Sequence, residues 1–293
     1  MRIYISADME GITGLVDADD VQPGGRDYER GRRAMTDDVN AAVRGALRAG
    51  ATEIVVNDAH GPMRNLVSDT LHPAARLIRG KPKTMGMVEG LTPAFDAMVC
   101  VGYHSRAGAH GVLSHSFMGH EIEDMWLDER PTGEIGLVHA SAAAMGVPVA
   151  VLAGDDAACQ EATAWDPAIA TVAVKYVRSR FAAELRPDAE SRAAIEETVA
   201  AALATPRTGE PSASEDSTGE RSTGEPSTGE PSTATLAVRW QSSAVAETLL
   251  GIPGVTQVDT RTVQTTGTPP DLFRQFGVWM RVATALTNQA PYC

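Results

Sequence analysis

Arg2-Ile3-Tyr4-Ile5-Ser6-Ala7-Asp8-Met9-Glu10-Gly11 opens the chain, and its reading governs everything downstream. The β-branched and aromatic side chains at its start predict a short buried strand. The apolar run stops at Asp8-Met9-Glu10, where two carboxylates stand two residues apart. In extended backbone, residues i and i+2 point to the same side, so both carboxylates can converge on one spot. Gly11, and soon Gly14, then free the chain to turn away. A strand ending in two convergent carboxylates is half of a metal site. Alone it is weak evidence, because acidic residues after a strand are more often solvated or capping. Recurrence is what raises it.

Residues 28–49 carry Met35, Val39, Val43, Ala46 and Leu47 on one helical face, with Gly50 as a stop. Residues 53–57 then repeat the buried-strand pattern and exit into Asp58-Ala59-His60-Gly61. After an expected short helix at 65–71 and a short strand at 75–79, residues 97–103 form a third strong strand. It exits into His104-Ser105-Arg106. Three strands thus deliver ligand-type residues just beyond their C-terminal ends, the edge at which open α/β sheets bind ligands. The fold expected is α/β: a central sheet with flanking helices, an active site at the C-terminal ends of the strands, and a C-terminal α/β portion.

Further along, a Gly- and His-rich loop carries His110 and His115, the latter in Leu113-Ser114-His115-Ser116. A strand is expected at 122–127, a turn at Asp128-Glu129, and a small-residue helix opening at Arg130-Pro131-Thr132-Gly133-Glu134 and ending near Met145. Strands at 147–153 and 172–175 and a helix at 189–204 follow. Composition then changes abruptly: residues 205–233 repeat a five-residue unit, as in Ser222-Thr223-Gly224-Glu225-Pro226. With almost nothing apolar to bury, this stretch reads as a disordered low-complexity insertion. Strands near 235–240, 255–259 and 262–266 and helices near 244–250 and 271–287 complete the chain. The division expected is a metal-binding catalytic domain at 1–204, the insertion at 205–233, and a portion at 234–293. That last portion either completes the same fold or forms a small oligomerisation subdomain.

With 25 basic and 38 acidic residues among 293, the net charge is −13. No basic cluster suits nucleic acid or an anionic membrane surface. Cys100, Cys159 and Cys293 form no Cys-x-x-Cys pair, so neither a disulfide framework nor a thiolate zinc site is suggested. No leader pattern or membrane-length apolar run is evident, and the expected location is cytoplasmic.

The candidates for chemistry are Asp8, Glu10, Asp58, His60, His104, His115 and Glu134. Mixed Asp, Glu and His ligands without Cys suit zinc or a similar divalent ion in a catalytic site. The inventory exceeds what one four-coordinate ion needs with an open position, which favours two metals sharing a carboxylate. Blander readings stand beside this one. Asp58 is expected to cap a turn or orient His60 rather than ligate. His110 and His120 read as solvated, His72 and His139 as structural. Glu134 is equally explained as a first-turn helix carboxylate. His115 can be a loop histidine or an acid–base group.

Taken together, Ser6-Ala7-Asp8-Met9-Glu10-Gly11, Asn57-Asp58-Ala59-His60, Gly102-Tyr103-His104, Leu113-Ser114-His115-Ser116 and Arg130-Pro131-Thr132-Gly133-Glu134 resemble the zinc-dependent D-aminopeptidases of the dipeptide-transport operon type. Met87-Val88-Glu89-Gly90-Leu91 and Ala153-Gly154-Asp155-Asp156 match as well. The resemblance covers essentially the whole chain apart from the repeat. It implies two zinc ions held by Asp8, Glu10, His60, His104 and Glu134, with Asp8 bridging. It also implies His115 as catalytic nucleophile or base, short peptides as substrates, and a ring-shaped homodecamer enclosing a chamber. The repeat departs from the family's shorter connection, and the specificity pocket cannot be matched residue by residue.

The reading is therefore a dinuclear zinc aminopeptidase releasing an N-terminal, D-type residue. One rival is another two-metal amidohydrolase or phosphoesterase, for which Arg106 is the lone evident phosphate clamp. Arg106 and Asp58 are also carried as substrate-binding or supporting residues. A second rival is a non-catalytic metal-dependent assembly protein, against which the presence of His115 argues.

Overall fold

A computed structural model of the chain describes residues 1–205 and 232–287. The twelve strands there, in chain order, are β1 (Arg2–Ala7), β2 (Glu53–Asp58), β3 (Ala75–Ile78), β4 (Ala97–Tyr103), β5 (Ile122–Leu127) and β6 (Arg130–Pro131), followed by β7 (Val149–Asp155), β8 (Ala170–Ser179), β9 (Ala182–Leu185), β10 (Ala234–Trp240), β11 (Thr256–Gln257) and β12 (Thr262–Gly267). The α-helices are α1 (Ala18–Val21), α2 (Tyr28–Arg48), α3 (Glu134–Ala144), α4 (Asp156–Trp165), α5 (Asp188–Ala204), α6 (Ser243–Leu249) and α7 (Pro269–Thr287). The fold class expected from the sequence is the one observed. The repeat at 205–233 falls almost wholly outside the described residues, as does Cys293.

Seven strands form one sheet in the order β3-β2-β1-β4-β7-β8-β9. All neighbouring pairs are parallel except β8–β9. A parallel sheet buries both faces, which is why β1, β4 and β7 are apolar almost throughout. Ile3, Ile5, Val99 and Val151 face Met35, Val39 and Val43 of α2 and Ile195 and Val199 of α5. On the other face Tyr4, Met98, Cys100 and Leu152 share a core with Trp240, Phe276 and Trp279. Each fully buried side chain of this size contributes about 1.5–3 kcal/mol.

The chain runs from β1 outward to β2 and β3, then returns to the far side of β1 with β4, β7 and β8. The order reverses between β1 and β4, and a crevice opens beyond their C-terminal ends. Their exits are drawn together unusually tightly. Asp8 N donates to Val101 O at 2.8 Å and Gly11 N to Gly102 O at 2.8 Å. A Cβ at Gly11 would lie 1.9 Å from Tyr103 O, so only glycine admits this approach.

A second, antiparallel sheet runs β11-β12-β10-β5-β6. β5 and β6 form a hairpin through Asp128 and Glu129, both at positive φ (50° and 64°), as a type I′ turn requires. β10 then pairs with β5, so residues beyond 232 complete a sheet begun at 122–131. Ala234, Leu236, Val238 and Trp240 alternate inward along β10. α7 buries Leu272, Phe273, Phe276, Trp279 and Ala283 as one stripe.

The helix expected at 65–71 is a series of turns instead. The N–H groups of Asn65 and Leu66 go to the Asp58 carboxylate, and that of Val67 to Thr36 Oγ1. With its donors taken by side chains, the segment has no cause to coil. α1, β6 and β9 were not anticipated; each is four residues or fewer. No helix among the described residues is long and apolar enough to cross a membrane.

Candidate metal centre

Asp8 and Glu10 follow β1 in a bend and turn rather than in the extended backbone expected, with Met9 between them buried in the core, and the two carboxylates still meet in one cluster. His60 follows β2, His104 follows β4, and Glu134 opens α3. All five are buried. His115 arrives from the loop after β4 with its ring against that of His104, centroids 4.2 Å apart and planes within 8°.

Each imidazole is held from behind by a main-chain carbonyl. His60 Nε2 lies 2.9 Å from Val21 O, His104 Nδ1 3.0 Å from Ser105 O, and His115 Nδ1 2.8 Å from Leu113 O. A carbonyl only accepts, so each of these nitrogens carries the proton and the opposite nitrogen presents a lone pair in the neutral ring. Those opposite nitrogens all face carboxylates. His60 Nδ1 lies 3.2 Å from Asp8 Oδ1 and 3.0 Å from Glu10 Oε2. His104 Nε2 lies 3.4 Å from both Asp8 Oδ2 and Glu134 Oε1. His115 Nε2 lies 3.8 Å from Glu10 Oε1 and 4.0 Å from Glu134 Oε1.

Lone pairs aimed at carboxylate oxygens repel unless a cation lies between them. The titration behaviour points the same way. Burial, followed by the neighbouring Glu10 and Glu134 charges, pushes the Asp8 carboxyl up to about 7. Burial would also raise Glu10, but the His60, His115 and His104 imidazoles outweigh it and hold that carboxyl well below the usual range. Burial would lower His60 and His104, yet the carboxylates around them push both well up. The cluster is a buried nest of acceptors that demands positive charge.

A metal suits that demand. Asp8 Oδ2, Glu10 Oε2 and His104 Nε2 are buried with no hydrogen-bond partner among the described residues, an arrangement native interiors rarely leave uncompensated. Glu10 Oε2 is near His60 Nδ1 but outside hydrogen-bonding geometry. Asp8-Glu10-His60 and Asp8-His104-Glu134 each bring three ligand atoms within 4.8 Å of one another, and Asp8 belongs to both trios. Glu10-His104-His115 forms a third such group. The all N and O donor set is one that catalytic zinc takes.

Other candidates sit elsewhere. Asp58 turns away from the cluster: its carboxylate accepts from Asn65 N (2.6 Å), Leu66 N (2.8 Å) and Asn65 Nδ2 (2.7 Å), while Asn65 Nδ2 also reaches His60 O at 2.7 Å. It pins the loop that carries His60. Arg106 does not reach the centre; its guanidinium lies against Ala107 O and Asp124 and lines a separate cavity with Glu161 and Trp165. His120 lines the cavity at the centre, His110 the separate one.

Sequence reasoning passed over two buried lysines. Lys175 Nζ donates to the carbonyls of Glu10 (2.5 Å), Ile12 (3.0 Å) and Leu15 (2.5 Å), clamping the exit of β1. Lys83 Nζ donates to Asn57 Oδ1 (2.7 Å) and Asp58 O (2.5 Å), fixing the exit of β2. The signal available was a lysine inside the apolar run Val172-Ala173-Val174-Lys175, where a buried parallel strand has no place for an unpaired charge. Asp155 was likewise missed: its carboxylate caps α4 through Ala158 N and accepts from Val112 N, steadying the loop that presents His115.

The centre opens into a cavity of about 390 Å³ whose walls include Val21, Met63, Phe117, Phe273 and Met280. Its size is at the small end of small-molecule sites, roughly 300–1,000 Å³. Asp8, Glu10, His60, Glu134 and His115 line it as well.

Residues 1–276 match the Peptidase M55 family model, D-aminopeptidase. A D-aminopeptidase of Bacillus subtilis (strain 168) is 43% identical over 203 residues, spanning 69% of this chain and 74% of that protein. The solved structure of the Zn-dependent D-aminopeptidase DppA from Bacillus subtilis, a self-compartmentalizing protease, superimposes with a TM-score of 0.85 at 34% identity, covering 100% of both chains.

Proposed function

The chain belongs to the D-aminopeptidase peptidase family and is a zinc-dependent aminopeptidase; we propose that it uses two zinc ions to release an N-terminal D-residue from short peptides. The observation that supports the pair of ions is the sharing of Asp8 between two three-ligand groups. Asp8, Glu10 and His60 would hold one ion, and Asp8, His104 and Glu134 the other. Bound there, they would supply Lewis-acid polarisation of the scissile carbonyl and a lowered pKa for a water molecule.

The chain's own residues set the rest. His115 lines the cavity with its Nε2 lone pair turned toward Glu10 and Glu134, because Nδ1 is committed to Leu113 O. It takes the proton of the attacking water at Nε2 and returns it to the departing amine nitrogen. Burial and the neighbouring His104 lower its pKa, which keeps it a base near neutrality. Glu10 or Glu134, the carboxylates beside the ions at this end of the cavity, would accept a hydrogen bond from the substrate's free amine. Phe117, Phe273 and Met280 exclude water around the reacting bond.

The reading further includes a homo-oligomeric ring of ten chains enclosing a chamber, supported by the self-compartmentalizing relative, and a cytoplasmic location, which suits the free thiols of Cys100 and Cys159. Light scattering of the purified chain tests the ring. The function itself is tested by hydrolysis of matched D-Ala and L-Ala p-nitroanilides before and after chelation. Chelator-sensitive cleavage with the D form preferred is expected. Cleavage of the L form alone would discard the D preference, and cleavage that survives complete metal removal would discard the mechanism.

A further inference from the structure

In a chain of net charge −13, one cleft is lined, among the described residues, by cations without a carboxylate. It adjoins the metal-centre cavity, measures about 500 Å³ and shares Lys81, Phe117, Phe273 and Met280 with it. Its charged residues are Lys81, Lys83 and Arg281. Lys83 is spent on Asn57 Oδ1 and Asp58 O. Lys81 and Arg281 remain, both exposed and neither in an ion pair among the described residues. Burial and then the Arg281 charge push the Lys81 ammonium below its ordinary value, so the two cations repel, with no anion between them among the described residues.

The joined cavities therefore have two different ends. Asp8, Glu10 and Glu134 mark the metal-centre end, Lys81 and Arg281 make the other cationic, and Met63, Phe117, Phe273 and Met280 line both cavities in between. A ligand complementary to that pattern offers an amino group to the metal-centre end and a carboxylate to the other. We propose that Lys81 and Arg281 bind the free C-terminal carboxylate of a short peptide whose amino end lies at the metal centre, making them determinants of selectivity for unblocked peptides. The inference rests on the aminopeptidase reading. Neither cation touches the reacting bond, so their contribution is to substrate binding, and it appears in KM more than in kcat.

The test compares the zinc-loaded full chain on D-alanylglycine, its C-terminal amide and D-alanine p-nitroanilide. The wild type is expected to favour the free acid over the amide by about ten-fold or more in kcat/KM, the scale of a charge-assisted hydrogen bond to a carboxylate. Lys81→Met and Arg281→Met are each expected to shrink that acid-to-amide ratio, and the double variant to bring it near one. Because only the ratio within each variant is read, a general loss of activity does not obscure the result. Equal kcat/KM for acid and amide in the wild type, with the anilide cleaved, overturns the inference and leaves the aminopeptidase reading intact. Persistence of the ratio in the double variant overturns it as well, placing carboxylate recognition elsewhere, as at Arg180 on the wall of the metal-centre cavity. Failure on all three substrates overturns both together.

Discussion

The rings of His104 and His115 lie face to face at 4.2 Å, yet their proton-bearing nitrogens are tied to different carbonyls, those of Ser105 and Leu113. Both therefore aim unprotonated nitrogens at the same carboxylate, Glu134, at 3.4 and 4.0 Å. The closer one, fully within the cluster, suits a ligand. The farther one borders the cavity, where a proton carrier is needed.

Replacing His115 with Ala should lower kcat by about 10²–10⁴-fold, the usual worth of a positioned acid–base group. Zinc content, measured by elemental analysis, should be unchanged. Normal turnover would remove His115 from the mechanism, and a drop in bound zinc would make it a ligand instead.

Asp58→Ala should weaken the centre without touching it. Three donors from Asn65 and Leu66 lose their acceptor, which costs about 1–3 kcal/mol in urea denaturation. With the His60 loop loosened, zinc affinity should fall by about 10–100-fold, as when an outer partner of a metal ligand is lost. Unaltered affinity in a folded variant would show that the loop holds His60 without Asp58.

Gly11→Ala is expected to be among the most damaging single changes in the chain. The new methyl would meet main-chain atoms of Gly102 and Tyr103 within 1.9–2.6 Å, and neither backbone can swing aside as a side chain would. A loss of about 3 kcal/mol or more follows, at the upper end for overpacking, seen as a lowered Tm. A Tm within a degree or two of wild type would mean that the strand exits separate easily.

Lys83 makes a prediction about pH. Burial leads the causes that lower its pKa to about 8 from the ordinary lysine value of 10.5. Between those values the unfolded chain holds a proton that the folded chain has released, so stability rises with pH across the window. A Lys83→Met variant lacks that contribution. The stability gap between wild type and variant, read from urea midpoints, should be wider at pH 10 than at pH 8; a pH-independent gap would contradict the assignment.

The sequence disclosed the centre because parallel strands deliver ligands at one edge. The exits of β1, β2 and β4 were legible, whereas the adjacency of these strands, which brings Asp8, Glu10, His60 and His104 together, was not. Glu134 was legible only through the resemblance, since its place at the start of α3 is equally that of an ordinary first-turn carboxylate. The pairing of β10 with β5 could not be read, because antiparallel register between segments more than a hundred residues apart leaves no local pattern. Arg106 misled for a related reason: adjacency to His104 in sequence does not fix side-chain direction, and its guanidinium lies against Asp124. The helix wrongly expected at 65–71 failed on contacts to Asp58 and Thr36 that come from elsewhere in the chain.

The most direct test of the two-ion centre is titration of the fully chelated chain with zinc, following D-alanine p-nitroanilide hydrolysis against bound metal. Activity should reach its plateau at two zinc ions per chain, and Asp8→Ala, which removes the carboxylate common to both trios, should lose metal and activity together. A plateau at one ion per chain, or an Asp8→Ala variant that still binds two, would contradict the account.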